Sequence, residues 1–212
     1  MTIKERYIKV LAWFQENVPV AKTELVYNDF FELLVAIVLS AQCTDKRVNM
    51  TTPALFKAFP TPRDMAKASF EQIFALIRSI SYPNNKAKHL IGLSQILVEK
   101  YQGVIPDDID RLQELPGVGR KTANVMLVVA FEKPAMPVDT HVFRVANRIG
   151  LTNAKNPLQS ETTLVKHIPS HLLSIAHHWF ILHGRYTCLA RKPKCDECGI
   201  RSYCKYTEKN VR

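Results

Sequence analysis

Residues 115–123 of the chain read Leu115-Pro116-Gly117-Val118-Gly119-Arg120-Lys121-Thr122-Ala123. Residues 108–115 before the turn and residues 122–131 after it have the apolar spacing of short helices. Because the Gly-x-Gly turn follows a helix and not a strand, it does not match the glycine fingerprint of dinucleotide-binding domains. The stretch therefore predicts two helices joined by a tight turn.

The glycines of this turn suit a close approach of the backbone to a ligand. Glycine adds no side chain at the turn, and the N–H groups that open the next helix suit a phosphate oxygen. The pattern resembles a helix-hairpin-helix motif, in which Gly117, Val118 and Gly119 would hold the DNA backbone without reading bases. The alternative is an ordinary turn between two helices.

Lys121 stands at the predicted start of the second helix. The positive end of the helix dipole and the neighbouring Arg120 both disfavour the ammonium form, so the neutral amine should be more accessible than in a free lysine. A neutral amine is a nucleophile. The alternative is a lysine that contacts phosphate or water.

Asp139 precedes another helical pattern, which carries Val142, Val145 and Ile149. Asp139 or Thr140 is well placed to cap that helix. The local sequence favours this capping role over catalysis.

Four of the five cysteines follow the spacing C-x6-C-x2-C-x5-C, at Cys188, Cys195, Cys198 and Cys204. Four thiolates this close together can surround one metal centre, but their spacing does not separate a zinc site from an iron-sulfur cluster. The remaining thiol, Cys43, follows a strongly apolar segment and is predicted to be a buried free cysteine.

The composition indicates a basic globular protein. The 212 residues include 29 Lys and Arg against 19 Asp and Glu, which gives a net charge of +10, and residues 184–212 hold half of it. This excess favours nucleic acid as the partner, although a solvated basic tail is an alternative. The N-terminus has no apolar core of a signal peptide, and residues 33–39 are too short to span a membrane, so we expect a cytosolic protein.

Helical periodicity dominates the rest of the chain, and strand-like alternation is almost absent. Helix starts are marked by three capping pairs: Asp29 with Glu32, Thr61 with Asp64, and Ser69 with Gln72. Gly103 and Gly150 mark two helix ends. We predict an all-α fold of about ten short helices.

Together these features resemble the endonuclease III family of DNA glycosylases. The resemblance covers nearly the whole chain. It rests on residues 39–45, the hairpin, residues 138–141, and residues 178–188, which lead into the cysteines. It implies an enzyme of base excision repair that excises oxidised pyrimidines of the thymine glycol type from duplex DNA and then cleaves the abasic site. Lys121 matches the family's nucleophile, which forms a Schiff base and allows β-elimination, and Asp139 matches its catalytic carboxylate.

The resemblance also implies a cofactor and DNA contacts. The four cysteines match the ligands of a 4Fe-4S cluster, and the loop between the first two presents Arg191, Lys192 and Lys194 to DNA phosphates. Gln42 matches a glutamine that fills the gap left by a flipped base. Tyr82 departs from the family, in which leucine is common at this position and a glycine precedes it where this chain has Ser81. An aromatic ring at Tyr82 would stack on the opposite base.

The implied architecture has two helical lobes. Residues 22–133 would form a six-helix barrel that ends in the hairpin, and residues 1–21 with 134–212 would form an iron-sulfur domain. Lys121 and Asp139 would face the cleft between them. The resemblance further implies a monomer that acts in the cytoplasm on the bacterial nucleoid.

Several other functions share parts of this pattern. Adenine-mismatch glycosylases share the fold, but they place a glutamate where this chain has Ile37 and they lack the hairpin lysine. A monofunctional pyrimidine glycosylase has no need of Lys121, whereas a thymine-dimer glycosylase remains possible. A non-catalytic DNA-binding or redox-sensing iron-sulfur protein would need neither Lys121 nor Asp139.

Overall fold

The computed structural model describes residues 1–206, and all regular secondary structure in this range is helical. The helices are α1 (Ile3–Asn17), α2 (Phe30–Ser40), α3 (Asp45–Ala58), α4 (Pro62–Ala66), α5 (Phe70–Ile77), α6 (Pro83–Tyr101), α7 (Ile109–Gln113), α8 (Arg120–Val129), α9 (Thr140–Ile149), α10 (Pro157–His167) and α11 (Ser170–Tyr186). Two 3₁₀ turns follow, at Cys195–Glu197 and Arg201–Tyr203. Within the described range there is no strand, which confirms the predicted all-α class.

The chain divides into two compact units. The central unit is Glu24–Phe131, which holds α2 to α8. The terminal unit joins Met1–Thr23 to Glu132–Arg212, and its described part holds α1, α9 to α11 and both 3₁₀ turns. No helix within residues 1–206 is long and apolar enough to cross a membrane.

The predicted helix boundaries follow local capping chemistry. Asp29 accepts a hydrogen bond from the Glu32 N–H at 2.8 Å, and the pairs Thr61 with Asp64 and Ser69 with Gln72 form reciprocal capping boxes. Gly150 ends α9 with φ of 85°, and Gly103, also at 85°, follows the end of α6. These signals were readable in the sequence because each joins residues within one turn of a helix.

Helix α2 is the core of the central unit. Residues 31–39 are all buried, which a helix that is apolar on every side requires. Helices α3, α6 and α8 all pack against α2. The second helix of the hairpin is therefore anchored on the most buried element of its unit.

Aromatic side chains form the centre of the terminal unit. Phe14 stacks on Trp179 with ring centroids 5.6 Å apart, and the Trp179 indole N–H donates to the Val18 carbonyl at 2.7 Å. The cysteine segment packs on the same helix, α1, because the Arg6 Nε donates to the Tyr203 carbonyl at 2.8 Å. A Cβ at Gly199 would lie only 2.1 Å from the Trp13 ring. The position of the cysteines is thus tied to this aromatic core.

Candidate functional site

The hairpin joins α7 to α8 through a turn that needs glycine. The Val118 N–H donates to the Leu115 carbonyl at 3.0 Å, and Gly117 has φ of 81°. A Cβ at Gly117 would also lie 2.8 Å from Nδ1 of His89, so both the backbone angle and the packing exclude a larger residue. The side chain of Val118 is buried and its N–H is used within the turn, so Val118 holds the shape of the turn while the flanking glycines face a ligand.

The N-terminus of α8 is suited to bind an anion. Its N-cap residue is Gly119, which supplies no capping side chain, and a Cβ at Gly119 would have no neighbour within 4 Å. The first N–H groups of a helix lack intrahelical acceptors and carry the positive end of the dipole. A phosphate oxygen fits this open end.

Lys121 is the second residue of α8 and its side chain is exposed. Helix α8 begins at Arg120, two residues earlier than the apolar pattern predicted, because Gly119 can serve as its N-cap. Lys121 therefore lies within the first turn, on the exposed side of a helix whose buried side carries Ala123 and Met126. An exposed amine at this place can reach a molecule bound at the hairpin.

Asp139 is the N-cap of α9, as the sequence predicted. Its Oδ1 accepts a hydrogen bond from the Val142 N–H at 2.8 Å, which leaves Oδ2 for a different partner. Residues 136–138 before it are buried, and Nδ1 of His177 lies 2.9 Å from the Pro137 carbonyl oxygen. Asp139 belongs to the terminal unit, whereas Lys121 belongs to the central unit.

Gln42 and Tyr82 share an unusual backbone conformation. Gln42 follows the end of α2 with φ of 55°, and Tyr82 precedes Pro83 of α6 with φ of 57°. Both side chains are exposed, that of Tyr82 by 61%. Non-glycine residues enter this left-handed region at a cost, and such strain clusters at functional sites.

The thiol of Cys43 is free, as predicted, but its predicted burial was wrong. Its side chain is half-buried and not fully buried. Because α2 ends at Ser40, Cys43 lies in the turn beyond the helix, where its N–H donates to the Ser40 carbonyl.

The other four cysteines line one pocket of the terminal unit. All are free thiols and half-buried, and they share the pocket with residues of α9 and α11. Burial raises the pKa of the Cys198 and Cys204 thiols, so a bound cation is needed to hold them as thiolates. Among residues 1–206, no three Cys, His, Asp or Glu side chains are close enough to hold one metal ion. Four thiols spread around one pocket fit an iron-sulfur cluster, in which each iron takes one thiolate.

The loop between the first two cysteines carries exposed cations. These are Arg191, Lys192 and Lys194. The loop is closed by the Lys194 N–H, which donates to the Thr187 carbonyl at 2.9 Å, and Lys192 has φ of 49°. Three cations are thus presented on a short, closed segment.

Two arginines of α9 hold this loop, and the sequence reasoning missed both. The Arg144 Nε donates to the Cys188 carbonyl at 3.2 Å. Arg148 donates to the Leu189 carbonyl at 2.6 Å and to the Ala190 carbonyl at 3.0 Å. The one available signal was their spacing of four residues, which places them on the same face of α9.

Comparisons with known families match both parts of this arrangement. A family model described as the HhH-GPD superfamily of base excision DNA repair proteins matches residues 35–170. A second model, the iron-sulfur binding domain of endonuclease III, matches residues 188–204, which begin and end at a cysteine of the predicted set.

Individual relatives match along nearly the whole chain. Endonuclease III of Rickettsia conorii is 50% identical over 198 residues, which are 93% of this chain and 94% of the relative. Endonuclease III of Escherichia coli K12 is 45% identical over 206 residues, which are 97% and 98% of the two chains. A solved structure of a trapped endonuclease III–DNA covalent intermediate is 44% identical, covers 100% of both chains and superposes with a TM-score of 0.94.

Proposed function

Because the chain belongs to the endonuclease III family of base excision DNA repair proteins, we propose that it is a bifunctional glycosylase and lyase whose nucleophile is Lys121. Its substrate is duplex DNA that contains an oxidised pyrimidine of the thymine glycol type. It removes the damaged base and then cleaves the strand at the abasic site. The observation that carries this proposal is the exposed Lys121 in the first turn of α8, directly after the Gly117-Val118-Gly119 turn.

The hairpin binds the phosphate backbone beside the lesion. The open N-terminus of α8 and the backbone of Gly117 and Gly119 supply N–H donors, and the buried Val118 between them presents no base-reading side chain. Such contacts fix the register of the protein on DNA without selecting a sequence. This suits an enzyme that must find damage in any sequence context.

Lys121 carries the covalent steps. Its neutral amine attacks C1′ of the damaged nucleotide, and the bond from C1′ to the base breaks as the base leaves with the electron pair. Opening of the sugar ring gives a Schiff base between Lys121 and C1′. Loss of a C2′ proton then breaks the C3′–O bond by β-elimination, and hydrolysis of the Schiff base frees the lysine.

Asp139 supplies the negative charge that this reaction needs. Glycosidic bond cleavage places positive charge on the sugar, which a carboxylate stabilises, and a carboxylate can also accept a proton from the nucleophile. Capping through Oδ1 fixes the orientation of the side chain while Oδ2 remains for this role. Structural and catalytic roles are therefore compatible in one residue.

The damaged nucleotide must leave the base stack to reach Lys121. Gln42 and Tyr82, which we call the two wedge residues, fill the space that it leaves. Both are exposed at turns of the central unit. Tyr82 offers an aromatic ring that can stack on the unpaired opposite base.

The cofactor of the chain is a 4Fe-4S cluster, and we assign Cys188, Cys195, Cys198 and Cys204 as its ligands. When bound, the cluster supplies a rigid cross-link between the segments that carry these cysteines. Arg144 and Arg148 hold the intervening loop through its carbonyls. Arg191, Lys192 and Lys194 of that loop then meet DNA phosphates.

The wider organisation is assigned on the same basis. We assign residues 22–133 as the helical barrel with the hairpin, which holds seven helices, α2 to α8, where six were predicted, and residues 1–21 with 134–212 as the iron-sulfur domain. The enzyme acts as a monomer in the cytoplasm, on the nucleoid. Compact units at Glu24–Phe131 and over the two chain ends support the domain assignment.

The test is cleavage of an end-labelled duplex that carries one thymine glycol. We expect cluster-loaded protein to nick the strand at the lesion and to leave an unsaturated aldehyde at the 3′ end, without added alkali. Strand cleavage that appears only after hot alkali would indicate a glycosylase without lyase activity. An intact strand under both conditions would contradict the proposal.

A further inference from the structure

The two wedge residues lie at the ends of different helices. Gln42 follows α2 and Tyr82 precedes α6, and both hold the left-handed conformation without being glycine. Residues in this region stay there only where the surrounding structure determines them. Pro83 marks the start of α6, but Tyr82 makes no capping hydrogen bond through its side chain that would hold its conformation.

Lys86 connects the two places. It is the fourth residue of α6, its N–H donates to the Tyr82 carbonyl at 3.2 Å, and only 5% of the residue is exposed. Its Nζ donates to the Leu39 carbonyl at 2.8 Å and to the Ala41 carbonyl at 2.6 Å. One side chain thus reaches from the turn at Tyr82 to the residue before Gln42.

The electrostatics of Lys86 fit a link between helix ends. Lys86 belongs to the first turn of α6, where the helix dipole disfavours a cation, but its ammonium group binds carbonyls at the C-terminus of α2, where the dipole favours one. Burial lowers the pKa of Lys86, and the nearby Cys43 thiol partly offsets this effect. The two short bonds to carbonyls therefore compensate for a buried charge that is otherwise costly.

We propose that Lys86 is a positioning residue that fixes the turns of Gln42 and Tyr82 relative to each other, so that both wedge residues enter the duplex together. This inference rests on the proposed function, because the wedge roles of Gln42 and Tyr82 belong to it. Lys86 itself does not touch the substrate. It acts through the Ala41 carbonyl on one turn and through the start of α6 on the other.

The test compares Lys86→Met with Lys88→Met, a matched change of an exposed lysine on the same helix. On duplex DNA with thymine glycol, we expect single-turnover base excision by Lys86→Met to fall roughly 10- to 100-fold, because small displacements of positioning groups have effects of this size. Schiff-base trapping on a single-stranded abasic oligonucleotide, which has no opposite base to replace, should be unchanged. Lys88→Met should match the wild type in both assays.

A second readout separates positioning from a general loss of structure. A 2-aminopurine placed opposite the lesion reports insertion by its fluorescence, and we expect Lys86→Met to lose most of the change seen with wild type. In a mutant cycle, adding Lys86→Met to the double variant Gln42→Ala, Tyr82→Ala should slow excision no further. The inference would be overturned if Lys86→Met slowed excision equally in the wild-type protein and in the Gln42→Ala, Tyr82→Ala variant. It would also be overturned if Lys86→Met excised thymine glycol from duplex DNA within about twofold of the wild-type rate.

A wild-type protein that does not excise thymine glycol would overturn the proposed function, and this inference with it. If Lys86→Met lacks the circular dichroism spectrum of the wild type, Lys86→Arg carries the test. A guanidinium keeps the charge but its planar fork does not match two carbonyls that are placed around an ammonium. We expect the same selective loss on duplex DNA, and wild-type excision by folded Lys86→Arg would overturn the inference.

Discussion

At the scale of single residues, the observed capping role of Asp139 and its proposed catalytic role can be separated by substitution. Asparagine caps a helix as well as aspartate does, so Asp139→Asn should keep the fold while it removes the charge. We expect base excision to slow by roughly 100-fold or more, as for loss of an acid–base group. The measurements are single-turnover excision and thermal unfolding of the same preparation.

Asp139→Ala is the matched variant, because it removes the cap as well as the charge. The bond from Oδ1 to the Val142 N–H would be lost, and the free energy of unfolding should fall by about 1 kcal/mol. If Asp139→Asn were destabilised as much as Asp139→Ala, loss of the cap would account for its slow excision. If Asp139→Asn excised bases at the wild-type rate, Asp139 would only cap α9.

His178 gives the protein a pH-dependent stability. Burial lowers its pKa to about 4, below the ordinary value of 6.5, so the unfolded chain binds a proton between these pH values that the folded chain does not. The stability that the neutral His178 contributes to the folded state is fully present above pH 6.5 and is lost as the pH falls towards 4. We expect a loss of about 2 kcal/mol between pH 7.5 and pH 5 from this residue.

His178→Gln should remove about half of the loss that the two buried histidines cause together, because burial also lowers the pKa of His183 to about 4. The loss is measured by urea unfolding at both pH values. His171→Gln on the same helix is the control, because His171 is exposed. Equal slopes in the wild type and in His178→Gln would remove His178 as the cause.

At the scale of elements, the cysteine loop should contribute affinity for DNA without selecting damage. Its cations are Arg191, Lys192 and Lys194. Each phosphate contact adds about 0.9 to the slope of log affinity against log salt. A variant with all three changed to glutamine should bind damaged and undamaged duplexes more weakly by a similar factor, with a salt slope that is smaller by about 2 to 3.

The control neutralises three exposed lysines elsewhere in the terminal unit: Lys4, Lys155 and Lys166. Fluorescence anisotropy at several salt concentrations compares the two triple variants. A loss confined to damaged DNA, or an equal change in the control, would contradict the role assigned to the loop. The absorbance of the cluster shows that each variant still carries its cofactor.

The features that the sequence could predict depend on neighbouring residues, and those that it could not depend on contacts between distant elements. The caps at Asp29, Thr61 and Ser69, the tight turn at Gly117 and the spacing of the cysteines depend on neighbours a few residues apart. Lys86 carries no such signal, because its carbonyl partners Leu39 and Ala41 are 47 and 45 residues away. A lysine in the first turn of a helix is normally solvated, and only the packing of α6 against α2 buries this one.

The arginines of α9 illustrate the same limit. Arg148 binds carbonyls 41 and 42 residues later in the chain, and sequence spacing cannot identify them. The left-handed backbone at Gln42 and Tyr82 was also unforeseen, because neither position is a glycine. Resemblance to the family assigned roles to these two residues, but the structure alone gave the strained conformation.

At the scale of the whole molecule, the proposed chemistry draws on both compact units. The central unit contributes the hairpin, Lys121 and the two wedge residues, and the terminal unit contributes Asp139 and the cysteines. The net charge of +10 gives the entire chain an attraction for DNA that does not depend on sequence. Experiments on the reaction therefore require the full-length, cluster-loaded protein.

The central claim is that Lys121 forms a covalent bond with C1′ of the damaged nucleotide. Borohydride reduces a Schiff base to a stable amine, so the bond can be located by peptide mass spectrometry of protein trapped on a thymine glycol duplex. We predict that the adduct maps to Lys121, that Lys121→Ala forms none while it still binds the lesion, and that Lys88→Ala traps like the wild type. An adduct at another amine, or undiminished trapping by Lys121→Ala, would contradict the account.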